Sequence, residues 1–323
     1  MKNWLLIIVV YAASVGPLWA ADVLLIESYH KEYGWDKSYI RGLENTLGDD
    51  VTLHTFEMDT KRLPKTDYDS QADKAFAMYQ QVAPDVVVLG DDNALGYMLP
   101  RLQNEDIDIV FLGINANPRR LMAKYSGKAR VTGVLERPLF ARSMREIGQM
   151  LGKDKLIVKI MFDAGTTATI ATDHIGKQYQ SLKNKLGIDA TIENHETFDA
   201  WKASVNSSDG YDIIVVGLYQ IIRDSNGNVV DPDKVLAWTN QHSAIPLFGF
   251  WDFSVGKGQT AGGVVLFGES QGVQAGEYVN RILAGEEASS ISVIYGKQGR
   301  AIYSGAEFTR WRLNAPNGWR NID

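Results

Sequence analysis

Short apolar segments alternate with stretches of helical period along most of this chain, and that alternation constrains the fold more than any other feature. Segments such as Val86–Leu89 and Ile213–Val216 have no polar position, so both of their faces must be buried. Strands of this kind are typical of a parallel sheet with helices packed on both sides. The pattern runs from Val23 to Leu112 and starts again at Leu156. We therefore predict an α/β protein with two lobes, each a parallel β-sheet flanked by helices.

Composition excludes several classes of function. The 323 residues carry 33 Lys and Arg against 39 Asp and Glu, a formal charge of −6, so no general positive field attracts a phosphate backbone. Nucleic acid is therefore not an expected partner. The absence of cysteine excludes disulfides, a cysteine nucleophile, thiolate metal sites and a lipid-modified N-terminal Cys. We expect no metal ion and no cofactor.

The first 21 residues have the three-part pattern of a cleaved export signal. Lys2 precedes the apolar run Trp4–Ala13, and the small residues Ala20 and Ala21 follow. A membrane anchor is the alternative, but an apolar run of about 10–13 residues is short of the ~20 that a spanning helix needs. We expect cleavage after Ala20 or Ala21 and a periplasmic location for the rest of the chain.

The loops that follow the predicted strands carry aromatic and polar side chains. In a parallel sheet, ligands bind beyond the carboxyl ends of the strands, where the connecting loops diverge. Loops of this kind in both lobes predict a ligand cleft between the lobes. The candidate ligand-binding residues are Ser28, Tyr29, His30, Trp35, Asp91, Asp92, Asn93, Asn115, Asp163, Thr166, Tyr219, Trp251 and Asp252. The alternatives are that the rings of the first loop cover the lobe's own core with Asp36 as a helix cap, and that one of Asp91–Asn93 caps the next helix.

The chemistry of these residues suggests a ligand class. Carboxylates outnumber cations among the candidates, and the aromatic rings of Tyr29, Trp35, Tyr219 and Trp251 accompany them. Carboxylates hold an ammonium group or hydroxyls while rings stack on a flat surface, so we expect a neutral or amine-bearing molecule with a flat or apolar face. A multiply charged anion should bind poorly. An amino acid, a nucleoside-like compound and a sugar all fit this description.

One sequence motif points to catalysis instead. Gly268–Gly272 fits G-x-S-x-G, the pattern of a nucleophile elbow between a strand and a helix. In that class of hydrolase the triad His follows the Ser, whereas every His of this chain, the last being His242, precedes Ser270. We therefore interpret Ser270 as a helix N-cap and predict a binding protein rather than an enzyme. An exported hydrolase or sugar-modifying enzyme that uses Asp91, Asp92 or Ser270 is the alternative.

A set of short motifs spread over nearly the whole chain after the signal carries a resemblance to a known family. The motifs are Ser28-Tyr29-His30, Trp35-Asp36, Gly90–Ala94, Leu112–Asn115, Thr132–Val134, Gly262–Val264, Gln271-Gly272, Ala275, Ile282–Gly285 and the tail Phe308–Pro316. Together they resemble the ABC-transporter substrate-binding family of type I periplasmic-binding fold, which includes tryptophan- and tyrosine-type binding proteins. They are also similar to the extracytoplasmic sensor domains of hybrid histidine kinases. The resemblance implies a two-lobed receptor that closes on a small molecule and presents itself to a membrane partner, either an ABC permease or a sensor kinase.

A hinge of about three chain crossings is expected between the lobes. The expected crossings lie near Gly133–Arg137, Phe250–Phe253 and Glu286–Ser290. Lobe one then comprises residues 22–135 and 253–287, and lobe two comprises residues 136–252 and 288–323. Glu136, Phe250 and Trp251 are expected at the hinge, about which the lobes rotate as rigid bodies. We expect the protein to be a monomer.

Overall fold

Two β-sheets organise the chain, and the structure, a computed structural model, describes residues 20–296 and 299–323. The first sheet contains β1 (Ala21–Glu27), β2 (Val51–Glu57), β3 (Val86–Gly90), β4 (Asp108–Ile114), β5 (Arg130–Leu135) and β11 (Ile294–Tyr295). The second contains β6 (Leu156–Asp163), β7 (Ile188–His195), β8 (Ile213–Val216), β9 (Leu247–Gly249), β10 (Gly262–Val265), β12 (Arg300–Tyr303) and β13 (Arg320–Asn321).

Helices connect most of these strands. They are α1 (Gly34–Glu44), α2 (Tyr68–Val82), α3 (Asp91–Leu102), α4 (Arg119–Lys124), α5 (Phe140–Met150), α6 (Thr166–Leu186), α7 (Phe198–Asn206), α8 (Pro232–His242), α9 (Gly268–Leu283) and α10 (Gly305–Trp311). Short 3₁₀ turns occur at Lys65–Asp67, Asp252–Ser254 and Ala288–Ser290. Strands therefore alternate with helices through both halves of the chain, as the apolar pattern predicts.

The strand order is that of two parallel sheets. The first sheet runs β2-β1-β3-β4-β5-β11, and all of its pairings are parallel. The second runs β7-β6-β8-β9-β10-β12-β13, and among its described strands only β10 and β12 pair in antiparallel orientation. The predicted α/β architecture with two parallel-sheet lobes is confirmed.

Strand β1 shows why a central strand of this fold is apolar throughout. Successive side chains of a strand point to opposite faces of the sheet. Val23 and Leu25 belong to the core that also contains the buried residues of α1, whereas Leu24 and Ile26 belong to the core beneath α3. All four side chains are fully buried, so neither face tolerates a polar residue.

The chain passes between the two sheets three times, after β5, after β10 and after β11. The three crossing segments are neighbours in space. The Gly296 N–H donates to the Leu135 carbonyl at 2.8 Å, which joins the third crossing to the first. The Arg300 guanidinium lies 3.7 Å from the centre of the Phe267 ring, which joins the third crossing to the second. The three connections between the sheets therefore lie side by side.

Two of these crossings differ from the expected positions near 250–253 and 286–290. The chain stays in the second lobe after β9, because residues 256–260 reverse its direction and β10 pairs with both β9 and β12. After β10 the chain crosses to the first lobe, and it stays there until β11 has paired with β5. Phe250 therefore borders the second crossing without being part of it, since its carbonyl accepts the Leu266 N–H at 2.8 Å. Which sheet the next strand joins depends on pairing with distant strands, so local sequence does not separate a reversal within a lobe from a crossing between lobes.

Within residues 20–296 and 299–323, none of the helices has the length and apolar character that spanning a membrane requires. The predicted export signal lies outside the described residues except for Ala20 and Ala21. Strand β1 begins at Ala21, so cleavage after Ala20 would leave the strand intact. That cleavage site stays a prediction.

Candidate functional site

The strand order creates a crevice at the carboxyl edge of each sheet. β1 lies between β2 and β3 in the first sheet, and β6 lies between β7 and β8 in the second. Connections diverge at such a reversal of strand order and leave space for a ligand. The two crevices face each other across the lobes, because the Tyr29 hydroxyl after β1 lies 2.9 Å from the Thr167 hydroxyl at the start of α6.

Two adjoining cavities of about 40 Å³ and about 10 Å³ lie between the crevices, and Tyr29, Lys61, Thr167 and Leu218 line both of them. The larger is also lined by Thr60, Tyr68, Asn93, Asp163, Gly165, Thr166, Ala168 and Ile221. The smaller is also lined by Tyr33, Trp35, Asp91, Glu136 and Trp251. Volumes of this size hold only a few water molecules. The two lobes therefore lie close together in this structure.

Seven of the predicted ligand-binding residues meet around these cavities. They are Tyr29, Trp35, Asp91, Asn93, Asp163, Thr166 and Trp251. The first four come from the first lobe and the others from the second, and their role in ligand binding stays a prediction.

Aromatic rings from both lobes form one wall of the site. Tyr29 and Tyr33 make an edge contact with 5.3 Å between ring centres. Tyr33 approaches Phe253 of the second lobe at 5.7 Å, and Trp251 stacks on Phe253 at 6.3 Å. The indole N–H of Trp35 is buried and has no hydrogen-bond acceptor within the described part of the chain. The wall therefore consists of packed rings from both lobes.

Lys61 is a cation at the centre of the site, and it is not among the residues predicted from the sequence. Its Nζ lies 4.2 Å from the centre of the Tyr29 ring and 4.7 Å from that of Tyr33, within cation–π range. Burial lowers the pKa of Lys61, while Asp163 and then Asp91 act in the opposite direction. Its position in the sequence is the feature from which Lys61 could have been predicted. Lys61 follows β2 at the same sheet edge as the loops after β1 and β3.

Asp91 is a buried carboxylate in a strained conformation. It has φ of 72°, a left-handed value that Asp and Asn tolerate better than most residues other than Gly. Its Oδ1 accepts the Asp92 N–H at 2.7 Å. Burial, followed by the charge of Asp92, raises the pKa of Asp91 to about 7. Backbone strain persists only where the surroundings hold it and is concentrated at ligand sites.

Two further carboxylates are fixed by hydrogen bonds. Glu136 lies where the chain first leaves the first sheet, and its Oε1 accepts the Trp251 indole N–H of the second lobe at 2.7 Å. Burial, followed by the charge of Asp91, raises the pKa of Glu136 well above its ordinary value. Asp163 accepts the Gly165 N–H at 2.9 Å and the Ile221 N–H at 3.3 Å. Acidic groups from both lobes therefore surround Lys61.

No protein-family model matches the chain, and no curated protein does. Solved structures do match. An ABC domain from Streptococcus pneumonia in complex with L-Trp has a TM-score of 0.64 at 14% identity and covers 93% of this chain and 99% of its own. A conserved domain protein from Vibrio cholerae has a TM-score of 0.65 at 14% identity, covering 94% and 100%. The periplasmic binding protein component of the arabinose ABC transporter from Shewanella has a TM-score of 0.59 at 12% identity, covering 90% and 95%.

These similarities extend over nearly the full length of each chain and include both lobes. The fold is that of the two-lobed type I periplasmic binding proteins. The cavities of this chain lie between the lobes of that type I fold, at the carboxyl edges of both sheets.

Three predicted residues of the first lobe support the loops of this type I fold instead of lining the cavities. Ser28 Oγ donates to the Gly90 carbonyl at 2.6 Å and accepts the Ala94 N–H at 2.8 Å. Asp92 accepts the N–H groups of Asn115 and Ala116, both at 3.0 Å. The Asn115 amide donates to Glu136 Oε2 at 3.2 Å. These side chains position their neighbours.

The remaining predicted residues also lie outside the cavity walls. His30 Nδ1 is 3.4 Å from a carboxylate oxygen of Asp59. Tyr219 packs on Phe253 with 6.4 Å between ring centres. Asp252 begins a 3₁₀ turn, and burial raises its pKa to about 6. Asp36 lies within the first turn of α1, which begins at Gly34, so the alternative of a helix cap at Asp36 is wrong.

The G-x-S-x-G motif has a packing explanation in this type I fold. α9 begins at Gly268, so Ser270 lies inside its first turn and donates to the Phe267 carbonyl at 3.1 Å. The interpretation of Ser270 as an N-cap is therefore wrong. Gly268 and Gly272 lie where α9 touches α1, and a Cβ on Gly272 would be 2.0 Å from the Tyr39 carbonyl oxygen. Within residues 20–296 and 299–323, no group of three or more His, Asp or Glu side chains is placed to hold a metal ion.

Proposed function

We propose that this chain is a periplasmic solute-binding protein that closes its lobes on a small molecule and delivers it to an ABC importer. The observation that carries the proposal is the meeting of one crevice from each lobe around buried rings and carboxylates. Such convergence of polar groups on an apolar pocket is typical of ligand sites. Proteins of the same fold include an ABC domain in complex with L-Trp and a component of an arabinose transporter, which supports the proposal.

The ligand that the lining favours is amine-bearing or neutral, with a flat or apolar face. Tyr29, Tyr33 and Trp251 provide ring surfaces, and Asp91 and Asp163 provide negative charge. Carboxylates bind ammonium groups and hydroxyls, whereas several acidic groups repel a multiply charged anion. An amino acid, a nucleoside-like compound and a sugar remain candidates.

Binding requires the lobes to open and close. The closed form is held by contacts between lobes, among them Tyr29 with Thr167 and Glu136 with Trp251. A ligand stabilises closure by the difference between its affinities for the closed and open forms, so it must touch both lobes. The hinge includes Glu136, residues 266–268 and Gly296.

A thermal-shift screen of the chain from Ala21 onward tests the function directly. The panel contains amino acids, amines, nucleosides and sugars. A ligand at about 100 times its Kd stabilises a protein by ~2.7 kcal/mol, which raises the Tm of domains of this size by about 5–10 °C. A true ligand should show such a shift, and Asp91→Asn or Trp251→Leu should reduce it.

Two results would contradict the proposal. One is the absence of any shift across the panel for a folded protein. The other is turnover in a hydrolase-substrate screen that Asp91→Asn abolishes, since that result would make the cleft an active site. Trp238→Leu serves as the matched control for Trp251→Leu, because Trp238 packs on His242 in α8 and lines neither cavity.

A further inference from the structure

Lys61 and Lys159 are both buried lysines, and they differ in how their charge is satisfied. Lys159 Nζ donates to the Ser204 carbonyl at 2.7 Å and to the Ser207 carbonyl at 2.9 Å. Lys61 is only 8% exposed, yet its Nζ has no hydrogen bond and no ion pair within the described residues. Buried cations are normally paired or hydrogen-bonded, whereas the Lys61 side chain lines both cavities instead. The site therefore accommodates the Lys61 cation without fixing it by a hydrogen bond or an ion pair from the described part of the chain.

Aromatic rings and acidic groups surround the ammonium of Lys61. Tyr29 and Tyr33 present their ring faces to Nζ at 4.2 and 4.7 Å. The acidic groups that act on Lys61 come from four elements, with Asp163 at the end of β6, Asp91 at the start of α3, Asp36 in α1 and Glu136 after β5. Asp163 and then Asp91 act most strongly on it. Two ring faces beside acidic groups of both lobes, with no direct ion pair among the described residues, form a site that accepts an ammonium group.

The backbone near Lys61 fixes the base of its side chain and leaves the tip movable. The Asp59 N–H donates to the Tyr29 carbonyl at 2.9 Å, and the Thr60 N–H donates to the Ser28 carbonyl at 3.0 Å. The lysine side chain itself is a flexible four-carbon stem. When the lobes separate, its ammonium can therefore turn toward water while the loop stays in place.

We propose that the Tyr29–Tyr33 site is a subsite for an organic ammonium group, that Lys61 fills it when the closed cleft is empty, and that the amine of a ligand displaces Lys61. The ligand's role in this inference rests on the proposed solute-binding function, whereas the subsite itself does not. The opposite role, in which Lys61 holds an acid group of the ligand, would place that anion beside Asp163 and Asp91, the two acidic groups that act most strongly on Lys61. Coulomb repulsion from their ionised forms opposes such an arrangement.

The test replaces Lys61 by Ala and supplies the missing cation from solution. Lys61→Ala removes three methylene carbons and the ammonium, which together correspond to n-propylammonium. We expect Lys61→Ala to have a lower Tm than wild type. We expect n-propylammonium chloride to raise that Tm by several degrees more than sodium chloride at equal ionic strength, with no such difference in the wild type. Lys31→Ala, at an exposed lysine, is the control and should respond equally to both salts.

Sodium butyrate, which has the same propyl chain with a carboxylate, tests the opposite role. Stabilisation of the wild type by butyrate that disappears in Lys61→Ala would overturn the proposal. An equal response of Lys61→Ala to propylammonium and sodium would also overturn it. If no compound in the solute panel binds but propylammonium raises the Tm of Lys61→Ala, the proposed function is wrong and the subsite is supported. If a solute binds but propylammonium does not raise that Tm, only the subsite is wrong.

Lys61→Met is a second variant that tests the proposal if Lys61→Ala does not fold. Met has a similar length without the charge, so the carboxyl groups around it lose their compensating cation. We expect this variant, without ligand at pH 8, to have a larger radius of gyration than wild type in small-angle scattering. A radius equal to that of the wild type would contradict the proposal.

Discussion

Asp91 and Asp92 are neighbours in the sequence, but the structure gives their carboxylates different surroundings. Asp91 lines the cavity, whereas both oxygens of Asp92 accept backbone N–H groups of the loop after β4. The sequence predicts a pair of carboxylates at this sheet edge. It does not predict which one faces the cleft, because that depends on the left-handed φ of Asp91.

The pKa of Asp91, about 7, makes amine binding depend on pH. Below that value the group is neutral, and above it the carboxylate attracts an ammonium. We expect the affinity for an amine ligand to rise between pH 6 and pH 8, measured by titration calorimetry. Asp91→Asn tolerates the same backbone and should weaken binding and flatten this dependence. Asp92→Asn should lower the Tm and keep the pH dependence; the reverse pattern would assign the ligand contact to Asp92.

Glu27 illustrates a buried acid that costs stability. Its side chain is fully buried, neither oxygen has a hydrogen-bond partner among the described residues, and burial, followed by Glu57, raises its pKa to about 8. Between its ordinary value of 4.5 and about 8, the folded state holds a proton that the unfolded state has lost. Folding therefore takes up a proton in this window, and stability falls as the pH rises.

Glu27→Gln should remove this penalty. We expect the variant to gain ~1–3 kcal/mol of unfolding free energy relative to wild type at pH 8 and much less at pH 5, measured by urea denaturation. Glu44→Gln, at an exposed position of α1, should show no such difference between the two pH values. A gain for Glu27→Gln that is equal at both values would show that the carboxyl is not protonated in the folded state.

At the scale of elements, the contact between α1 and α9 depends on glycine. A Cβ on Gly272 would lie 2.0 Å from the Tyr39 carbonyl oxygen, and one on Gly42 would lie 2.2 Å from the Glu269 carbonyl oxygen. Both obstacles are backbone atoms, so the helices would have to separate. Close packing of the two helices thus explains the spacing of Gly268 and Gly272, although the same residues also fit a hydrolase motif.

Gly272→Ala and Gly96→Ala form a matched pair. Gly272→Ala should lower the unfolding free energy by about 1–3 kcal/mol, because the added methyl group overpacks the interface. Gly96 is inside α3, and a Cβ there would have no neighbouring atom within 4 Å, so Gly96→Ala should raise stability by up to ~1 kcal/mol through helix propensity. Thermal unfolding measures both. A neutral Gly272→Ala would show that α9 can move away from α1 at little cost.

The sequence predicts elements and site residues to different extents for a physical reason. Central strands such as β1 and β3 are covered on both faces, so burial leaves an unbroken apolar run in the sequence. The last two crossings are set by which sheet β10 and β11 join, and pairing between distant strands has no local signature. Lys61 was missed for the same reason, because its burial involves the second lobe, where Asp163 and Leu218 line the same cavity.

At the scale of the whole molecule, the closed form depends on a few contacts between lobes. The Tyr29 hydroxyl and the Thr167 hydroxyl, 2.9 Å apart, join the walls of both cavities. Tyr29→Phe keeps the ring beside Lys61 and removes this hydrogen bond. We expect the variant to favour the open form, with a larger radius of gyration than wild type in ligand-free small-angle scattering and a weaker affinity for ligand.

Tyr303→Phe is the control for that measurement, because Tyr303 packs on Phe308 within the second lobe. Its radius of gyration should equal that of the wild type. If Tyr29→Phe also matches the wild type, both without ligand and with a compound from the thermal-shift panel, the contact between Tyr29 and Thr167 does not hold the lobes together.

The three crossings also determine when each lobe can be completed during synthesis. The first lobe takes α9 and β11 from the far end of the chain, so the core on one face of its sheet is unfinished until Tyr295 has been made. The second lobe takes β12 and β13, which come later still. The core on the opposite face of the first sheet uses only residues 24–135 and does not depend on the end of the chain. Residues near the end of the chain are therefore needed before either lobe is complete, so full stability comes only late in synthesis.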